Sequence, residues 1–143
     1  MSAFLGAALV AGLITAPSGK PEQAQAPTSR RTEAPQASPE RARLLRGAAL
    51  ERNGDLAGAA EEYRAAIALR PKMAEAHDRL GFVLGLVGRT TEALDEFQQA
   101  VALQPSLFDA QYHLGATLWW TKQIAPARAA LQQAVKLRPT HAE

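Results

Sequence analysis

The sequence predicts an all-α stack of helical hairpins, and three observations carry that prediction. First, one block recurs at a constant step: Ala66-Ile67-Ala68-Leu69-Arg70-Pro71, then Ala100-Val101-Ala102-Leu103-Gln104-Pro105, then Ala134-Val135-Lys136-Leu137-Arg138-Pro139. The step is 34 residues (71 to 105 to 139), a period of the kind that marks stacked supersecondary units. Second, apolar residues within each unit recur at three- and four-residue intervals, as Ala93, Leu94, Phe97, Ala100, Val101 and Leu103 do, which gives one apolar helical face. Third, small residues and helix breakers keep the same step. Gly47, Gly81 and Gly115 align, as do Ala59, Ala93 and Ala127, the bulky Tyr63, Phe97 and Leu131, and Leu50, Leu84 and Leu118.

Each unit therefore reads as two helices. The first helices are expected near 40–53, 74–87 and 107–120, and the second near 56–70, 90–104 and 124–138. Asn53-Gly54-Asp55 and Val87-Gly88-Arg89 supply the tight turns of two hairpins, glycine giving backbone freedom that a Cβ forbids. The third turn is Thr121-Lys122-Gln123, so a less regular corner is expected there. Pro71, Pro105 and Pro139 end the second helices, because proline lacks the N–H that continuation requires. Close helix crossing needs small residues. Gly47, Gly81 and Gly115 are thus expected to face Ala59, Ala93 and Ala127, with Tyr63, Phe97 and Leu131 filling space further along. Glu61 and Glu62 read as an exposed face near a helix N-terminus, where the helix dipole favours acids.

This pattern resembles the tetratricopeptide repeat family, whose units are 34 residues long. With Glu40, Ala74 and Phe108 as first positions, the units are 40–73, 74–107 and 108–141, and the repeat region is 40–139. The family favours Trp, Leu, Gly, Tyr, Ala, Phe, Ala and Pro at positions four, seven, eight, eleven, twenty, twenty-four, twenty-seven and thirty-two. Unit two offers Leu80, Gly81, Leu84, Ala93, Phe97, Ala100 and Pro105, with His77 at the fourth position. Unit three offers Leu114, Gly115, Leu118, Ala127, Leu131, Ala134 and Pro139, with Gln111 at the fourth. Unit one departs most, with Arg43 and Arg46 at positions four and seven, and terminal repeats are expected to be atypical. The resemblance covers about 100 residues and implies a right-handed superhelical solenoid of helix-turn-helix hairpins.

It also implies a function. In the family the first helices line a concave groove that holds a peptide or helix of a protein partner. Carried over by position, the groove is expected to be lined by Arg41, Leu44, Leu45, Ala48 and Arg52 in unit one, and by Glu75, Asp78, Arg79, Phe82 and Leu86 in unit two. Unit three gives Asp109, Tyr112, His113, Ala116, Trp119 and Trp120. Aromatic and Arg side chains are common anchors of binding hot spots. Adjacent helical residues point about 100° apart, so one of Trp119 and Trp120 can serve the groove while the other packs toward a further unit. The family's clamp for chaperone C-termini uses Lys, Asn and Arg where this chain has Leu44, Ala48, Arg79, Asp109 and His113, so that subtype is not expected.

Composition narrows the remaining classes. Basic and acidic residues number 16 and 14, which leaves no counterion-release footprint for nucleic acid. There is no cysteine, hence no disulfide, thiolate metal site or cysteine nucleophile. His77, His113 and His141 occupy repeat positions that do not converge, so no metal is expected. Glu75, Asp78 and Asp109 read as a solvated charged groove rather than an acid–base pair. No cofactor-binding or catalytic motif is present, and the expectation is a non-enzymatic scaffold. The rivals are the substrate-recruiting front part of a longer enzyme and a membrane-tethered assembly factor.

The first residues are read separately. Ala3 to Ala16 form an uncharged, mostly apolar run with the length of an export signal's core, short for a membrane span. Ala24-Gln25-Ala26 supplies a small-x-small cleavage site, although no Lys or Arg lies between Met1 and Ala16. Residues 1–26 are thus expected to be an export signal leading to the periplasm or cell exterior. An uncleaved anchor, the one route to a membrane, and an incidental apolar tail are the alternatives. Residues 27–39, rich in Pro, Ala, Ser and Thr, read as a flexible linker, closed by Ser38 as N-cap and Pro39 as first helical residue. Thr140-His141-Ala142-Glu143 has capping-box spacing and echoes Lys72-Met73-Ala74-Glu75, like the opening of another helix over 140–143. Either the sequence is a fragment, or the apolar flank of unit three is exposed and open to a partner or to self-association.

Overall fold

The computed structural model describes residues 37–138; the export-signal reading, most of the linker, Pro139, His141 and the capping-box echo lie outside them. Among the described residues there are six helices: α1 (Pro39–Arg52), α2 (Leu56–Leu69), α3 (Ala74–Leu86), α4 (Thr90–Leu103), α5 (Phe108–Trp120) and α6 (Ile124–Leu137). They pair as α1·α2, α3·α4 and α5·α6, and successive hairpins pack through α2·α3, α4·α5 and α3·α5. Each expected helix is present within about two residues. Pro39 begins α1, as expected of the first helical residue; the Ser38 side chain makes no capping bond.

The core follows the repeat. Ala59, Ala93 and Ala127 have no exposed surface, and neither do Tyr63, Ala66 and Ala100. The expected glycine-to-alanine facing needs correction: the glycines abut the large side chains directly. A Cβ on Gly47 would lie 2.5 Å from the Tyr63 ring, one on Gly81 2.8 Å from the Phe97 ring, and one on Gly115 2.7 Å from Leu131 Cγ. The missing side chain of the first helix is the space that the bulky residue of the second helix fills. That is how three hairpins of nearly identical crossing arise from one spacing. Tyr63 adds a polar anchor, donating to Glu51 Oε2 at 2.6 Å. Burial, and then that bond, hold its phenol far above the ordinary tyrosine range.

The third turn is also corrected. Gly54 N–H donates to the Glu51 carbonyl and Asp55 N–H to that of Leu50, which is a Schellman closure. Gly88 and Arg89 repeat it, and so do Lys122 and Gln123 onto Trp119 and Leu118. The corner is regular after all, and Lys122 takes the left-handed backbone (φ 65) that Gly54 and Gly88 take elsewhere. Such a conformation costs a non-glycine residue about 1 kcal/mol or more. Lys122→Gly is expected to stabilise the fold by about 0.5–1 kcal/mol, after the glycine's greater unfolded-state freedom is subtracted, and a rise in the urea midpoint checks this.

Charged residues tie the hairpins together at position four. Arg43 Nη1 binds both oxygens of Glu62 (3.1 and 3.2 Å) and Arg46 Nε adds a third contact at 3.3 Å. Glu62 is therefore a half-buried ion-pair partner and not the free exposed acid expected. One repeat on, His77 Nδ1 lies 2.7 Å from Glu96 Oε2 and its Nε2 2.8 Å from the Pro71 carbonyl. A carboxylate and a carbonyl both accept, so the doubly protonated imidazole is the form that satisfies both contacts. The bond to Glu96 holds its pKa above the usual 6.5 against the opposing effect of burial. This contribution to stability is full below the unfolded value of 6.5 and is lost as pH rises through the higher folded value. The thermal midpoint is expected to fall across that interval in the parent and to fall less in Glu96→Gln, as melting curves at stepped pH would record. In unit three Gln111 Nε2 makes the equivalent bond to the Pro105 carbonyl at 3.1 Å.

Candidate functional site: an aromatic cleft between α3 and α5

The first helices stand side by side, and an open cleft of about 290 Å³ lies between α3 and α5. Phe82, Leu86, His113, Ala116 and Trp120 line it, all expected groove residues, together with Gly85, Thr90, Phe97 and Thr117. His113 is its polar centre. Its Nδ1 donates to Asp78 Oδ1 at 2.8 Å, which leaves Nε2 without a protein partner among the described residues. Three rings surround the imidazole, with centroids 5.3 Å (Phe82), 5.4 Å (Phe97) and 5.9 Å (Tyr112) away. Tyr112 in turn stacks on Phe108 at 6.0 Å, and the Arg138 guanidinium lies 4.3 Å over the Phe108 ring. Trp120 is 80% exposed at the rim. An apolar wall with one oriented hydrogen-bonding group is the usual make-up of a recognition pocket.

Two groove assignments are corrected. Leu44 belongs to the hydrophobic core, and Asp78 is buried and committed to His113. Both occupy position five, which in α3 lies at the seam with α5. Only in the last unit, with no further helix beyond it among the described residues, is that position open, and there Tyr112 is half exposed. Trp119 is corrected as well. It lines a separate cleft on the outer flank of α5 and α6, whereas Trp120 faces the α3/α5 cleft. The two indoles divide as their angular separation allows.

The other expected residues stand beside the cleft. Arg41 pairs with Glu75 at 2.8 Å and Arg79 with Glu51 at 3.7 Å, linking α1 to α3. The first of these is exposed on both sides and contributes little stability. Leu45 and Arg52 are exposed and Asp109 half-buried, and none lines the cleft. Gly85, Thr90, Thr117 and Phe97 were missed as lining residues. The repeat marks Phe97 as core, and its ring in fact serves both the core and the cleft wall. Among the described residues no group of three or more His, Asp or Glu side chains is placed to hold a metal ion, and no helix is long and apolar enough to cross a membrane.

Antiparallel helix pairs repeated at fixed spacing, with first helices sharing one face, define a helical-repeat solenoid. The chain belongs to the tetratricopeptide repeat family: one family model, described as TPR repeat, matches residues 47–88, and another, described as Tetratricopeptide repeat, matches 87–142. Its described residues form an all-α, right-handed superhelical solenoid, the fold of its structural neighbours. A Thermobaculum terrenum O-GlcNAc transferase mutant is similar at 27% identity and TM-score 0.67, over 71% of this chain and 20% of that one. YrrB, described as a TPR protein with an unusual peptide-binding site, is similar at 25% identity and TM-score 0.62, over 69% of this chain and 51% of that one. The first TPR of Spaghetti, bound to an HSP90 peptide, superposes with TM-score 0.69 at 16% identity, over 72% of this chain and 82% of that one. The chain thus spans about a fifth of the transferase and about half of YrrB. No curated protein matches the sequence.

Proposed function

We propose that the chain is a protein–protein interaction scaffold whose inner face holds a peptide or helix of a partner. The observation that carries this reading is the convergence of Phe82, Leu86, His113 and Trp120 on one open cleft. YrrB and the Spaghetti repeat, described as peptide-binding and peptide-bound, support a peptide ligand. The guest is read by its side chains and not by a terminal carboxylate. Asp109 puts negative charge, and Leu44 and Ala48 put no charge, where a carboxylate clamp needs cations and amides. An apolar side chain of the guest fills the cleft, and His113 Nε2 bonds to a neighbouring polar group of the guest.

In a capture experiment from extract with mass-spectrometric identification, Phe82→Ala or Tyr112→Glu is expected to weaken recovery of the partner at least tenfold. A hot-spot loss of about 1.4 kcal/mol or more corresponds to that factor. Helicity is expected to stay unchanged. Equal recovery by parent and variants would refute the groove, and loss of helical signal would place those side chains in the core.

A second reading is favoured by the transferase likeness: a substrate-recruiting segment of a longer enzyme, with the same cleft contacting the substrate protein. Export to the periplasm or cell exterior is proposed on Ala3 to Ala16 and the Ala24-Gln25-Ala26 site. A secreted product beginning at Pro27 would support cleavage and remove the membrane-tethered alternative.

A further inference from the structure

The inner cleft has a hydrogen-bonding polarity, and Asp78 sets it. The Asp78 side chain is 4% exposed, and its Oδ1 lies 2.8 Å from His113 Nδ1. A carboxylate accepts, so the imidazole proton sits on Nδ1. In the neutral ring Nε2 then offers a lone pair, and the negative charge behind the ring strengthens it as an acceptor. The rest of the lining makes no competing demand. Phe82, Leu86, Phe97 and Ala116 present only carbon side chains, and no cationic side chain lines the cleft. Thr117 Oγ1 is already spent, donating to the His113 carbonyl at 2.8 Å. The Thr90 hydroxyl can donate or accept and sets no preference.

We propose that the guest residue seated in this cleft is a tryptophan of a partner protein, its indole N–H donating to His113 Nε2. Asp78 is the positioning residue that makes Nε2 an acceptor. The proposal rests on the inner-groove reading and supplies the chemistry of its anchor. Indole joins a large apolar body to one donor and carries no acceptor, so it matches carbon walls and a single lone pair. A tyrosine hydroxyl would donate as well but leave its own lone pairs against carbon. A guest carboxylate or carbonyl would meet a lone pair with a lone pair. A Lys or Arg head group is drawn by Asp78 but would give up its water for one bond. The chain's own ends do not supply the anchor, because residues 1–36 and 139–143 contain no Trp and no Tyr.

The probes are 3-methylindole and 3-methylbenzofuran, which share a shape and differ in whether the ring heteroatom donates, together with methylguanidinium. Each is titrated at pH 8.5 into the full chain carrying 15N-labelled histidine and followed by NMR. His113 is expected in the neutral Nδ1–H form, and 3-methylindole is expected to bind about tenfold tighter than 3-methylbenzofuran. His113→Phe keeps a ring and removes the acceptor, so both are expected to bind with the indole's lead gone. In Asp78→Leu the 15N pattern is expected to move toward the Nε2–H form and the lead to shrink, which a purely structural role for Asp78 would not produce. Should Asp78→Leu fail to fold, the parent's tautomer and His113→Phe still decide the matter. A doubly protonated or Nε2–H ring in the parent, benzofuran bound as tightly as indole, or a tighter methylguanidinium would overturn the proposal and leave the groove reading intact. No response at His113 to any probe also overturns it, and together with partner capture indifferent to Phe82→Ala it brings down the groove reading as well. Self-association of the parent that is lost in Trp119→Phe would make a second copy the occupant and overturn the assignment to a partner.

Discussion

Gly81→Leu is expected to lower the unfolding free energy by about 3 kcal/mol, the upper part of the range for overpacked cores. A Cβ alone would already stand 2.8 Å from Cδ1 and Cε1 of Phe97 and 3.1 Å from the Ala93 carbonyl oxygen. The ring is buried, and the carbonyl belongs to the α4 backbone and cannot turn aside as a side chain can, so relief requires α3 and α4 to move apart. Leucine's better helix propensity returns only about 0.8–1 kcal/mol. The readout is the urea midpoint of the full chain. An unmoved midpoint would show that α3 and α4 do not cross at this glycine.

Phe97→Ala attacks the same crossing from the other side and is expected to cost about 3–5 kcal/mol, as buried aromatic truncations do. The ring is 2% exposed. It fills the notch over Gly81 and forms part of the wall beneath His113. Its loss leaves a void in the hairpin and loosens the cleft, so stability and partner capture are expected to fall together. Combining it with Gly81→Leu should cost less than the sum of the two, because the new leucine occupies vacated volume, and contacting residues couple in this way. Strict additivity would mean that the two side chains do not share the space.

The fold was legible because the repeat is written in residue types with single physical uses. Proline at the end of each second helix, glycine at each crossing and alanine and a bulky residue at fixed places on the second helix fix helix ends and spacing with little ambiguity. What lay beyond reach was contact across hairpins. Asp78 and His113 are 35 residues apart, one repeat plus one position, and nothing in a single unit shows that position five of one first helix meets position six of the next. Position-by-position transfer therefore put Leu44 and Asp78 in the groove, although Leu44 belongs to the core and the next first helix holds Asp78 through His113. The corner at Lys122 was misjudged for a different reason. The sequence shows no glycine, and the backbone closure is favourable enough to hold a lysine in the left-handed region. For the two tryptophans, helical geometry showed that they point apart but not which of them faces the groove.

The inner-groove account is tested most directly by hydrogen–deuterium exchange of the chain with and without its captured partner. Slowed exchange is predicted in α3 and α5 around Phe82, Leu86 and Ala116, with the outward-facing stretch of α4 near Gln98 and Gln99 unchanged. Protection confined to α4, with α3 and α5 exchanging as in the free chain, would contradict it.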